Sequence, residues 1–300
     1  MKKTLSLLIL LATFTIANAQ LLWKVSGKGL SKPSYIVGTY HFAPASFTDS
    51  IAGLRNVLDD CDQVYGEITT SVMNTPDYVT KTMEASMLPD SIDFKSLFTT
   101  EQIDRINAFL REFIGGDMTN PIIEAQFRKA KPAIVTTQLT AILYMKHHPV
   151  FNPQNLLDSY LQDYATEKGK TTGGLESLDF QLDMLFNKTP LKRQAEQLLC
   201  LIDNADFNNK QVENILDAYF SQNLDKIKEA INLKLNSSCD ATPEEENRLI
   251  YDRNANWVAM LPFIMKQGCT LVAVGAGHLP GDKGLLQLLR NEGFTVTPVK

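Results

Sequence analysis

Cysteine is scarce in this chain. Four in 300 residues, at Cys61, Cys200, Cys239 and Cys269, are too few and too scattered for a disulfide-dense scaffold or a zinc knuckle. Positive charge is also lacking, since 29 Lys and Arg face 34 Asp and Glu, a net of -5. That balance argues against a nucleic-acid partner or an anionic membrane surface, because each needs a basic face. No internal repeat and no low-complexity tract is visible. Absent too are a G-x-S-x-G elbow, an H-E-x-x-H helix, a P-loop and a Rossmann fingerprint.

Long apolar runs are missing except at the start. Lys2 and Lys3 precede an apolar stretch from Leu5 to Ile16, and Ala17-Asn18-Ala19 follows with small residues at its two recognition positions. This is the layout of a secretory signal peptide, residues 1–19, with cleavage expected before Gln20. The stretch is shorter than the ~20 residues needed to span a bilayer. The expectation is therefore an exported protein, periplasmic or secreted, with no membrane association after cleavage. Its 44% apolar composition suffices for a real core, and the mature chain, residues 20–300, reads as a single domain.

Strand signals gather at the two ends. "LLWKVSGKGLSKPSYIVGTYH" reads as a hairpin around Gly27-Lys28-Gly29, and "DQVYGEI" as a further strand after a short helix. Near the other end, Thr270 to Val274, a helix from Gly284 to Arg290, and "FTVTPV" repeat the alternation. Between them, residues of about 75–235 show helical spacing, with a brief strand signal at "KTTGGLES". Thr242 to Glu245 has the pattern of a capping box with Pro243 at the first helical position, and Gly268 marks the end of that helical segment. The fold class is α/β: a central mixed sheet formed by the terminal strand units, with the helical section packed over it.

Only four histidines are present, and two of them end strand-like runs in the pattern G-x-x-H: His41 in "GTYH" and His278 in "GAGH". In open α/β sheets ligands bind beyond the carboxyl ends of strands, where both residues fall. The bland alternative is a histidine in an ordinary turn. Glu67 closes "VYGEI", a mostly buried strand, where a carboxylate needs a partner. Glu176 follows two glycines at a strand-to-helix junction, a place the helix dipole alone explains. Arg253 and Asn254 lie within a helix, one turn before Trp257. His147 and His148, at a helix end before Pro149, suit the dipole there and read as structural. Export permits a disulfide. Cys200 and Cys239 lie at a helix end and in a loop of the helical section and are expected to pair, leaving Cys61 and Cys269 as buried thiols.

Taken together, "YIVGTYHF", "YGEI", "GGLES", "RNANW" and "VAVGAGHLPGDKGLLQLL" resemble the TraB/GumN family over nearly the whole mature chain. That family includes the Tiki metalloproteases of animals and is distantly similar to erythromycin esterases and to haem-binding ChaN proteins. The resemblance places the family's paired G-x-x-H motifs and glutamate on His41, His278 and Glu67. Its "RN--W" and "GLE" patterns fall on Arg253, Asn254, Trp257 and Glu176. Tyr40 stands where an apolar residue such as isoleucine is usual, and Ser177 where threonine is usual.

Two neutral imidazoles and a carboxylate suit a divalent metal such as Mn, Co or Zn, which gives His41, Glu67 and His278 as candidate ligands. Such a metal would acidify water, with Glu176 accepting its proton and Arg253 or Asn254 stabilising the oxyanion. The same groups allow metal-free hydrolysis in which a histidine activates water. The expected partner is a peptide or small-molecule substrate. A third reading is a carrier that binds haem or metal in the same cleft. On the catalytic readings, the Gly275–Gly277 turn holds His278 out of the core.

Overall fold

The computed structural model describes residues 20–73 and 75–299. The signal-peptide expectation falls on residues 1–19 and lies outside the described residues. Six strands make one mixed sheet: β1 (Leu22–Ser26), β2 (Ser34–Thr39), β3 (Gln63–Gly66), β4 (Thr171–Gly174), β5 (Thr270–Gly275) and β6 (Thr295–Pro298), in the order β4-β3-β5-β2-β1-β6. The four strands β4, β3, β5 and β2 run parallel, while β1 is antiparallel to both β2 and β6. The terminal strand units do share a sheet, as their alternation of strand and helix implies.

Local sequence explains each piece. Five of the six residues of β2 and of β5 are buried, the burial expected of central parallel strands covered on both faces. β1 and β2 join through Gly27-Lys28-Gly29, all three at positive φ, a conformation that glycine adopts without a Cβ clash. The capping box forms: the Thr242 hydroxyl accepts from the Glu245 N–H, and the Glu245 carboxylate accepts from the Thr242 N–H. The helix Asp252–Gln267 stops at Gly268, whose φ of 166 is ordinary extended backbone. Glycine is needed there for space, because a Cβ would meet Asp62 Oδ2 at 2.8 Å.

The main core wraps the sheet. The helical section adds a core of its own, with Phe94, Ile106, Leu110 and Leu198 fully buried. Cys200 and Cys239 form a disulfide with Cα atoms 5.5 Å apart, and Cys61 and Cys269 are buried thiols. Among the described residues no helix is long and apolar enough to cross a membrane.

What the sheet does for function is set by one register. β2 and β5 pair in parallel with Thr39 opposite Gly275. Both G-x-x-H segments therefore leave the same edge of the sheet from neighbouring strands. Gly38 allows them to close on each other, since a Cβ there would lie 2.9 Å from Leu279 Cδ1 and 3.0 Å from the Ala276 Cβ.

Candidate functional site

Beyond that edge lies a pocket of about 370 Å³. His41 follows β2, Glu67 follows β3, and Arg253 reaches in from the helix Asp252–Gln267; all three line it, with Asp158, Ser159 and Gln162 from the helix Leu157–Glu167. Ile68, Met73, Leu156 and Met184 supply apolar wall. Concave sites of this size with a few convergent polar groups suit small ligands.

Behind the pocket stands a buried polar cluster centred on Arg253. A guanidinium has five N–H donors, and each of these has an acceptor. Nε donates to Glu176 Oε1 at 2.7 Å, and Nη2 donates to Glu176 Oε2 at 2.8 Å and Glu67 Oε2 at 2.5 Å. Nη1 donates to the Leu249 carbonyl and to His278 Nε2, both at 3.2 Å. Leu249 sits in a π-helical turn, Asn247–Tyr251, that precedes the helix bearing Arg253. Such widened turns recur at functional sites. Arg253 also lies 4.8 Å from the Trp257 ring centre, a cation–π contact that adds to the ion pairs.

The imidazole tautomer of His278 follows from its neighbours. Asn254 Nδ2 faces two carbonyls, those of His278 and Lys283, at 3.1 and 2.9 Å, so its Oδ1 is left to accept. His278 Nδ1 therefore carries the proton and donates to Asn254 Oδ1 at 2.8 Å. Nε2 keeps its lone pair and accepts from Arg253, which has no lone pair to offer. Burial, with Arg253 and His41 as nearby cations, pushes the His278 pKa down to about 4. The ring is neutral at pH 7 and only 4% exposed. The expectation that the glycine turn keeps it out of the core is thus corrected: the turn folds the ring inward, against Trp257 at 4.5 Å between ring centres.

The two carboxylates differ in what they have left to give. Glu176 Oε1 accepts from Arg253 and Trp257 Nε1, and Oε2 from Arg253 and Gln181 Nε2. Those four donors fill the roughly four lone-pair sites of a carboxylate. Glu67 accepts one donor on each oxygen, the Gly275 N–H at 2.8 Å and Arg253 Nη2. A lone pair remains on each. Burial raises the Glu67 pKa, but the charge of Arg253 above all, with that of His41 and the Gly275 N–H, outweighs it and holds it below the usual glutamate range.

His41 occupies the pocket mouth, its side chain 74% open to solvent, with Nδ1 2.9 Å from Asp158 Oδ2. The hydrogen bond to Asp158 raises its pKa to about 9, against a smaller opposing effect of desolvation. Solvent reaches the ring, so the Asp158 contact rather than burial decides the direction. His41 is charged at neutral pH, with Nδ1–H given to Asp158 and Nε2–H left over.

The sequence candidates therefore divide into a front and a back. His41, Glu67 and Arg253 meet in the pocket, whereas Glu176, Asn254 and His278 stand behind it. Glu67 Oε1 and His278 Nε2 are 3.9 Å apart, but the His278 lone pair is taken by Arg253. Among the described residues, no group of three or more His, Cys, Asp or Glu is placed to hold a metal ion. His41, Glu67 and His278 as one ligand set thus do not fit a metal, because the guanidinium fills the space that His278 and Glu67 would share with it. The roles expected of Arg253 and Asn254 at an oxyanion meet the same difficulty, since every N–H of both side chains is already donated. Glu176, with its lone pairs filled, has no place left for a proton from water. Asp158 was not foreseen. Its only signal, an acid in the first turn of a helix, is too common to single it out.

The comparisons with known proteins agree with the motifs. The chain belongs to the TraB/PrgY/gumN family, which it matches over residues 21–298. It is 20% identical over 315 residues to "Metalloprotease TIKI2" of Danio rerio, an overlap of 92% of this chain. The chain spans about 60% of that relative's length. No solved structure gives a significant match.

Proposed function

As a member of that family, this chain is, we propose, an exported hydrolase that cleaves a peptide or other carbonyl substrate in the pocket between His41 and Glu67. One observation carries the reading: a carboxylate with lone pairs to spare and a cationic imidazole with a spare N–H converge on one pocket at the carboxyl ends of parallel strands. A water held on Glu67 gives up its proton to that carboxylate as it attacks the carbonyl carbon. His41 offers Nε2–H to the developing oxyanion or to the leaving group, and Asp158 fixes the ring by holding Nδ1. Arg253 holds Glu67 in place. Glu176, His278 and Trp257 in turn hold Arg253, and Asn254 holds His278.

The relation to a protein named a metalloprotease favours a second reading, metal-dependent peptide hydrolysis. For a divalent ion, the donors left in the pocket are His41 Nε2, once deprotonated, and the spare lone pairs of Glu67. Export is supported by the Cys200–Cys239 disulfide, which belongs to an oxidising compartment. Intact-mass measurement of exported protein should find Gln20 at its start.

The test of function is a screen of peptide and ester substrates with protein stripped by EDTA and with protein given Mn, Co or Zn. Glu67→Gln should lower turnover by about 10²–10⁴, the usual worth of a general base. Activity in stripped protein supports the first route, and activity only with added metal supports the second. A fully active Glu67→Gln protein, or no turnover under any condition, overturns the hydrolase reading.

A further inference from the structure

A second and larger cavity, about 430 Å³, shares no lining residue with the pocket of His41 and Glu67. It lies on the other side of the Gly277 turn, between the helices Leu191–Asp203, Ala205–Phe220 and Leu224–Ile231, with the Cys200–Cys239 disulfide in its wall. Its apolar wall includes Leu201, Phe207, Ile231, Leu233 and Leu249. Three of these are left open to solvent, Ile231 and Leu233 at 42% and Leu249 at 37%. Aliphatic side chains exposed side by side in a concavity, rather than scattered singly, mark a binding surface.

Two lysines, Lys228 and Lys234, and two acids, Asp240 and Glu246, line the cavity, and they differ in what each one meets. The two lining acids are engaged: Asp240 accepts from the Leu235 and Ser237 N–H groups, and Glu246 is paired with Lys234. Lys228 lines the cavity and has no ion-pair partner among the described residues. Its Nζ lies 2.9 Å from where a Cβ on Gly281 would stand, next to the lining residue Pro280. Lys283, likewise without an acidic partner among the described residues, stands over the ring of the lining residue Tyr251 at 5.1 Å. An apolar body with one unpaired lysine, Lys228, in its lining matches a molecule of the same two-part kind.

We propose that this cavity binds an amphipathic anion, an unbranched aliphatic chain ending in a carboxylate, with the chain against Ile231, Leu233 and Leu249 and the head group at Lys228. Ile231 is the pivot of the wall, packed so closely on the turn that a Cβ at Gly277 would lie 3.0 Å from its Cδ1.

The test is isothermal titration of the disulfide-intact chain with sodium dodecanoate below its micellar range, alongside dodecanol and dodecyltrimethylammonium. One dodecanoate per chain is expected, bound more tightly than either control. Lys228→Glu, a change at an exposed position, should weaken dodecanoate about tenfold or more through like-charge repulsion and leave dodecanol nearly unchanged. Ile231→Trp, which fills the cavity, should weaken both. Absence of saturable binding, equal affinity for the cationic surfactant, or unchanged dodecanoate affinity in Lys228→Glu would each overturn the assignment.

Discussion

Replacing His278 with alanine is expected to destabilise the fold as well as the site, and the size of the effect can be worked out. The ring is 4% exposed and sits against Trp257. Its removal strands two buried groups, an N–H on Arg253 Nη1 and the Oδ1 of Asn254. A buried polar group left without its partner costs about 1–3 kcal/mol. The vacated space has polar walls, so a water can enter and recover part of that. The net cost should be about 2–4 kcal/mol. At roughly 2–4 °C per kcal/mol for chains of about this size, Tm should fall by about 5–15 °C. Turnover should fall further than the folded fraction, because the same change loosens Arg253 and with it Glu67. His148→Ala is the control, since that ring stacks on Tyr144 outside the pocket. The measurement is thermal melting of both variants beside their hydrolysis rates at a temperature where both are folded. A His278→Ala protein melting within about 2 °C of the parent would refute the account of a buried, doubly bonded imidazole.

Three further outcomes follow from the same geometry. If His41 acts as a charged donor, activity should be lost as pH rises through its pKa of about 9, and Asp158→Asn, which removes the raising hydrogen bond, should move that limb of the pH–rate profile down towards the ordinary histidine value of ~6.5. Glu245 is held below the usual glutamate range, chiefly by its hydrogen bonds from Arg193. A depressed acid contributes stability above its unfolded pKa of ~4.3 and loses it as pH falls through the folded value, so Glu245→Gln should melt with a shallower acid slope than the parent. Reduction of Cys200–Cys239, which closes a span of 39 residues, should cost about 4 kcal/mol in the chain-entropy picture, read by urea unfolding with and without reductant.

The sheet was legible because its strands carry their signal locally. The apolar runs of β2 and β5, the Gly27-Lys28-Gly29 turn and the βα alternation all act over a few residues, and the pairing of the two ends followed from them. Capping at Thr242 was legible for the same reason. The independent core of the helical section was not, because Leu110 and Leu198 are far apart in the chain and helical spacing alone does not say which faces meet. His41 and Glu67 could be named as pocket residues from their places at strand ends. The inward turn of His278 could not, since it depends on Gly38 of another strand leaving room for Ala276 and Leu279. Asp158 was invisible for a related reason: what gives it a role is the ring of His41, more than a hundred residues away, and no local pattern records that contact.

The paired G-x-x-H motifs are alike in sequence and opposite in use, and the difference lies in which donor each imidazole meets. Both leave the sheet at one edge, fixed by Thr39 opposite Gly275. His41 meets a carboxylate at Nδ1 and stays charged at the pocket mouth. His278 meets an amide oxygen at Nδ1 and a guanidinium at Nε2, and two such contacts are compatible only with the neutral ring. A neutral acceptor is what Arg253 needs on that side, because its other N–H groups are already spent on Glu67, Glu176 and the Leu249 carbonyl. A second cationic imidazole there would leave an N–H facing an N–H in a buried place. The symmetry of the motifs therefore belongs to the backbone, which brings two strand ends together. The asymmetry belongs to Arg253, which turns one histidine into its support and leaves the other to the pocket.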